Sequence, residues 1–103
     1  MHTMANQITK ADLRGSVDYL NKLTGNPTDP WKRDEDGEYL RNERGHMVHN
    51  AGTFTLDWCN GGVALCTMGG RDVLHRGSKR DLYGRLRALI QGVEIAQRMN
   101  GND

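Results

Sequence analysis

A chain of 103 residues, 36% of them apolar and with a net charge of +1, forms a single domain with a modest core. Near-neutral charge gives no global field toward nucleic acid or a membrane, and no apolar run approaches the ~20 residues that span a bilayer. Two cysteines are too few for a disulfide framework.

Met1-His2-Thr3-Met4 reads as extra residues ahead of a second start at Met4, and residues 1–6 are expected to be disordered. No apolar segment follows, so no secretory signal is read. The first helix opens at Thr9. Thr9 is a good N-cap, Asp12 stands three residues on as its capping-box partner, and Ile8 and Leu13 are placed as a hydrophobic staple. Leu13, Val17 and Leu20 mark one face, with Leu23 or Thr24 continuing it. Gly25 suits the left-handed position after the helix, and Pro27 forbids continuation.

Residues 26–45 form a charged connection. Asp36-Gly37 can turn a small hairpin between Trp31-Lys32-Arg33 and Tyr39-Leu40-Arg41. Without that hairpin the loop is longer than compact domains usually carry, which often marks a functional loop. Trp31 follows Pro30 in this segment. A large aromatic there is either pinned onto the core or held for a partner. No internal repeat is evident.

His46 to Asn50 reads as a short strand. Thr53 to Cys59, Val63 to Met68 and Arg71 to His75 read as an antiparallel meander with turns at Asn60-Gly61 and Gly69-Gly70. A type I′ turn at Asn60-Gly61 sets Trp58 opposite Val63 and Leu56 opposite Leu65, and the second turn sets Leu65 beside Leu74. The expected buried face is then Phe54, Leu56, Trp58, Val63, Leu65 and Leu74. The other face, with Thr55, Asp57, Ala64, Cys66, Met68, Val73 and His75, is neither plainly solvated nor plainly core. Cys59 and Cys66 fall on one side of the sheet, at best as diagonal neighbours ~7–8 Å apart, which is beyond comfortable disulfide reach.

The second helix has Ser78 as N-cap and Asp81 as its box partner. Leu82, Leu86, Leu89, Val93 and Ala96 form the stripe that covers the sheet. A second side carries Gly84, Ala88, Gly92, Ile95 and Met99. Each glycine inside a helix costs roughly 1 kcal/mol relative to alanine, so a packing reason is expected. The first helix is the expected neighbour, and a second copy of the chain is the alternative, with Gly84, Ala88, Gly92 and Ile95 as its interface.

The chemistry-bearing residues do not assemble into a site. His46, His49, Cys59 and Cys66 are zinc-type donors, but the cysteines flank a hairpin at a spacing unlike a zinc knuckle. Cys59 has Asp57 nearby, yet neither a helix N-terminus nor a fixed cation is in view to lower its pKa. The glycine pairs are hairpin turns, with no helix start behind them to cradle a phosphate. The chain is therefore read as non-enzymatic, with no cofactor and no metal. Charge is uneven. Residues 71–98 hold seven basic and three acidic groups, a local +4, and residues 29–44 hold four basic and six acidic, a local −2. Arg80, Arg87 and Arg98 share one side of the second helix and suit phosphates or an acidic protein surface.

The order Leu23-Thr24-Gly25-Asn26-Pro27, Pro30-Trp31, Gly45-His46, His49, Gly61-Gly62-Val63, Ser78-Lys79-Arg80-Asp81-Leu82-Tyr83 and Ala88-Leu89-Ile90-Gln91-Gly92-Val93 resembles a family of small proteins of tailed bacteriophages and prophages, over residues 19–93. The resemblance implies a protein made in the bacterial cytoplasm during infection. Such proteins often bind, and block, a host enzyme, a regulator or a defence complex such as CRISPR-Cas. It transfers no catalytic residues.

The combined expectation is an α+β domain of order α-β-β-β-α, with a three- or four-stranded antiparallel sheet and both helices on one face. Function is expected in partner binding through Trp31, Asp34, Glu35, Asp36, Arg80, Arg87 and Arg98. Nucleic acid is the alternative partner, a homodimer is a third reading, and no membrane is involved.

Overall fold

A computed structural model describes residues 7–70 and 72–101. The order is α1 (Lys10–Leu23), β1 (Phe54–Cys59), β2 (Gly62–Thr67), β3 (Asp72–Gly77) and α2 (Lys79–Gly101). The strands form one antiparallel sheet in the order β1-β2-β3, so the fold is α+β. The expected disorder of residues 1–6 and the start of the third strand at Arg71 lie outside the described residues.

Local chemistry sets the helix starts. The Thr9 hydroxyl accepts from the Asp12 N–H at 3.1 Å, and the Thr9 N–H donates to the Asp12 carboxylate at 2.9 Å. Both halves of the capping box are present. Gly25 takes φ +80 just past the helix end. The Ser78 hydroxyl accepts from the Asp81 N–H at 3.1 Å. Leu13, Val17 and Leu20 of α1 meet Leu82 and Leu86 of α2 and Val63 and Leu65 of β2 in one buried cluster. α1 lies over β1, while α2 lies over β2 and β3.

The β1–β2 register is the expected one: Trp58 pairs with Val63 and Leu56 with Leu65. Only the second residue of that turn, Gly61, has positive φ, so the turn is not type I′. Leu65 pairs with Leu74 across β2–β3, where two register shifts bend the β3 edge. Trp58 is a correction: it is 37% exposed, not part of the core. It sits at the edge of the sheet beside the first residue of α1, where the Lys10 ammonium lies over its ring, 5.1 Å from the centroid.

The charged connection is built as a repeat, which overturns the reading that none exists. Residues 30–37, 38–45 and 46–53 are three octads. Arg33-Asp34-Glu35-Asp36-Gly37 recurs as Arg41-Asn42-Glu43-Arg44-Gly45. The Asp34 carboxylate accepts from the N–H groups of Asp36 and Glu38, and the Asn42 side-chain oxygen accepts from those of Arg44 and His46. The Arg33 guanidinium donates to the Gly37 carbonyl at 2.7 Å and that of Arg41 to the Gly45 carbonyl at 2.8 Å. Gly37 and Gly45 take φ +84 and +81.

The three octads close on themselves. The Leu40 N–H donates to Lys32, Lys32 to Val48, and Val48 back to Leu40, at 2.8–3.1 Å. Asp34 donates to Glu38, Asn42 to His46, and Asn50 to Pro30, at 2.7–2.8 Å. The bridges Arg33–Tyr39, Arg41–Met47 and Trp31–His49 complete a ring with pseudo-threefold order. The hairpin expected at Asp36-Gly37 is thus its first side, and the strand expected at His46 to Asn50 is its third. In the third octad the left-handed glycine moves one place earlier, to Gly52 at φ +89. That change of turn leads the chain out of the ring and into β1. The closing bonds engage the inward backbone groups of Lys32, Leu40 and Val48 with one another, so the ring holds its shape with little core beneath it.

The ring and the far half of α2 extend the molecule. Its radius of gyration is 15.8 Å, against about 13 Å for a globule of this length. Among the described residues, no helix is long and apolar enough to cross a membrane.

Candidate functional site

The predicted contact residues fall on two separate elements. Trp31 is half-buried in the ring, its backbone bridged to His49. Its N–H donates to the Asp29 carboxylate at 3.0 Å, and Arg33 donates to the same carboxylate at 3.0 Å. Those bonds, the Trp31 N–H first and the arginine after it, hold Asp29 below the usual carboxylate range. Asp34 builds its turn with both side-chain hydrogen bonds described above. Its carboxylate is therefore structural, whereas Glu35 and Asp36 stand exposed at the tip. Arg33 lies over the Tyr39 ring at 4.0 Å, and Tyr39 and Leu40 are 40% and 38% exposed. Sequence reasoning missed this aromatic–arginine surface. The signal was the repeated Arg-Asp/Asn-Glu-x-Gly, at a period too short for the usual search for repeats.

Arg80, Arg87 and Arg98 are exposed along α2. From Arg80 to Arg98 the helix rises about 27 Å, so they form a line and not a cluster. Arg87 stacks over Tyr83 at 5.7 Å and donates to its hydroxyl at 3.4 Å.

The small-residue side of α2 faces outward. A Cβ placed on Gly84 or Gly92 would meet nothing within 4 Å. Ala88 is exposed, and Ile95 and Met99 are 51% and 68% exposed. The expected packing of this side on α1 is therefore corrected. Burial of Leu82 and Leu86 sets the rotation of α2, and that rotation turns the glycines away.

Two concavities flank α1. One, of about 450 Å³, lies between α1 and α2, with Gly15, Ser16 and Ile90 among its lining. Its charged groups are engaged: Asp12 in the helix cap, Arg87 with Tyr83, and the Glu94 carboxylate accepting from the Tyr19 hydroxyl, which pushes the Tyr19 pKa up. The other, of about 290 Å³, runs beside β1 and is lined by Arg14, Val17, Asp18, Thr28, Pro30, Phe54, Thr55, Leu56 and Trp58. Cys59 and Cys66 are free; Cys66 pairs with Thr55, four residues from Cys59, and burial pushes its thiol up. Among the described residues no group of three or more His, Cys, Asp and Glu side chains is placed to hold a metal ion. No family model, curated protein or solved structure matches the chain.

Proposed function

We propose that the protein is a non-enzymatic phage accessory protein that binds a host macromolecule in the bacterial cytoplasm and inhibits it. A host enzyme or a defence complex such as CRISPR-Cas is the class of target. The observation that carries this reading is the octad ring. Its turns are held by cross-ring backbone bonds and by the Asp34 and Asn42 side chains, while residues 32–46 stand exposed. Rigid loops presenting Glu35, Asp36, Tyr39 and the arginine over it lose little entropy on binding. Trp31 supports the base of that surface. Affinity capture from host lysate with the wild-type chain and with a Glu35→Lys/Asp36→Lys double variant tests it. The reading requires a partner captured by the first and lost with the second; equal capture by both removes the ring from the interface.

The exposed line of Arg80, Arg87 and Arg98 favours a second reading, association with nucleic acid. A phosphate contact of this kind gives affinity that falls steeply with salt. Titration of duplex DNA and of RNA across a salt series decides it, and no binding at low salt disposes of it. The outward seam of Gly84, Ala88, Gly92 and Ile95 supports a third, a homodimer. Sedimentation of the wild type against Gly92→Leu tests that reading, and a monomer in both rejects it.

A further inference from the structure

The free edge of β1 is protected at one end and open at the other. Asn21, fully buried, donates from Nδ2 to the Phe54 carbonyl at 3.0 Å and accepts at Oδ1 from the Phe54 N–H at 2.8 Å. It occupies the place of a neighbouring strand residue. Backbone groups alternate in direction along an antiparallel strand. With Phe54 turned outward, Leu56 and Trp58 turn their N–H and C=O groups outward as well, while Thr55 and Asp57 turn theirs to β2. No backbone partner among the described residues meets the outward groups of Leu56 and Trp58. The opposite edge, β3, is bent by two register shifts and carries Asp72, His75 and Arg76, the usual protections against strand pairing. Leu56 to Trp58 has no register shift, and its one charge, Asp57, is held by Arg76 on the far face of the sheet. The 290 Å³ groove runs along it.

We infer that this edge takes up an extended peptide as an added strand. The side chains along the groove specify its character. α1 runs antiparallel to β1, which puts Lys10 over Trp58 and Asn21 beside Phe54. Lys10 therefore stands at the Trp58 end of the groove, Arg14 follows one turn along α1 toward Leu56, and Val17, Asp18, Pro30 and Phe54 line the groove toward its other end. An added residue opposite Trp58 points to the helix side, toward the two cations, and an acidic side chain matches it. The residue opposite Leu56 points to the same side, toward Val17, Phe54 and Pro30, where Arg14 and Asp18 oppose each other in charge. The residue between them faces the far side of the sheet, where Arg76 holds the Asp57 carboxylate at 2.8 Å. In the antiparallel direction the peptide reads acidic, any residue, apolar. Main-chain bonds supply affinity and the alternate side chains supply selection. The groove touches the octad ring at Pro30 but does not rest on the reading given to the ring.

The test is a titration of the full chain with a capped peptide of sequence Thr-Thr-Glu-Thr-Val-Thr-Thr, followed by backbone amide shifts. The expected result is saturable movement of the Leu56 and Trp58 amides. Lys10→Glu/Arg14→Glu weakens binding about tenfold or more, and a peptide N-methylated on the bonding side of its Glu and Val binds no better than a scrambled one. Three results overturn the proposal: unmoved Leu56 and Trp58 amides at millimolar peptide, equal binding of the N-methylated peptide, or protection of both amides by a dimer through β1 without peptide. A Lys-for-Glu peptide that binds equally well overturns the acidic preference. The ring is untouched by each of these results and is judged by its own capture experiment.

Discussion

Asn21 and Phe54 are joined by two hydrogen bonds, from a helix side chain to both backbone groups of a strand residue thirty-three positions away. A buried amide can do this because it carries one donor and one acceptor in the same plane as a peptide. The pair fixes α1 on the edge of the sheet. Asn21→Leu keeps the volume but strands the Phe54 N–H and C=O beneath the helix. A loss of about 2–4 kcal/mol is expected in urea unfolding. A loss under about 0.5 kcal/mol would show that water reaches those groups.

The octad repeat makes equivalent positions interchangeable. Asn42 makes the same two backbone contacts as Asp34. Asp34→Asn is therefore expected to be close to neutral, and Asp34→Ala to cost about 1 kcal/mol. Gly37→Ala forces a Cβ into a left-handed turn and costs about 1–2 kcal/mol. Amide exchange over residues 30–50 reads all three, since the ring opens locally before the domain unfolds.

Glycine substitutions separate the open helix positions from the crowded strand. Gly84→Ala and Gly92→Ala add a methyl to open space and raise stability by about 0.5–1 kcal/mol each. Gly62→Ala places a Cβ 2.5 Å from the Gly77 carbonyl oxygen and lowers it. Thermal melts of the three variants check both signs. A stabilised variant that loses self-association would reveal the seam as an interface.

Asp29 links the ring to pH. Its carboxyl is depressed in the fold, chiefly by the Trp31 N–H, from an ordinary value of 3.8. A depressed carboxylate stabilises the folded state above its unfolded pKa, and the contribution disappears as pH falls through the lower folded value. Asp29→Asn is therefore destabilising at pH 7, by an amount that shrinks toward pH 2. Denaturant midpoints at the two pH values test this; a constant difference between them rejects it.

Thr53 is fully buried, and its hydroxyl meets no hydrogen-bond partner among the described residues. Its backbone is paired with Met68 and Asn50. Thr53→Val removes the orphaned hydroxyl and keeps the shape, so a gain of about 1 kcal/mol is expected by thermal unfolding. A loss would place a bound water on the Thr53 oxygen.

Local and period-two signals carried the architecture. Thr9, Asp12, Gly25, Ser78 and Asp81 mark helix ends because capping is settled within four residues of chain. Alternation from Phe54 to Trp58 and a two-residue turn set the β1–β2 pairing, since a one-residue slip would invert every side chain. The octad ring left no such trace. Its cross-ring backbone bonds span four to twenty residues and residues 32–46 face water, so no apolar period announces it. The surfaces were likewise decided in three dimensions. Whether Trp58 is covered depends on where α1 begins over the sheet. Which side of α2 is bare depends on which leucines the core takes in. Residue order determines the elements and their pairing; the packing of two helices on a small sheet determines which faces remain for a partner.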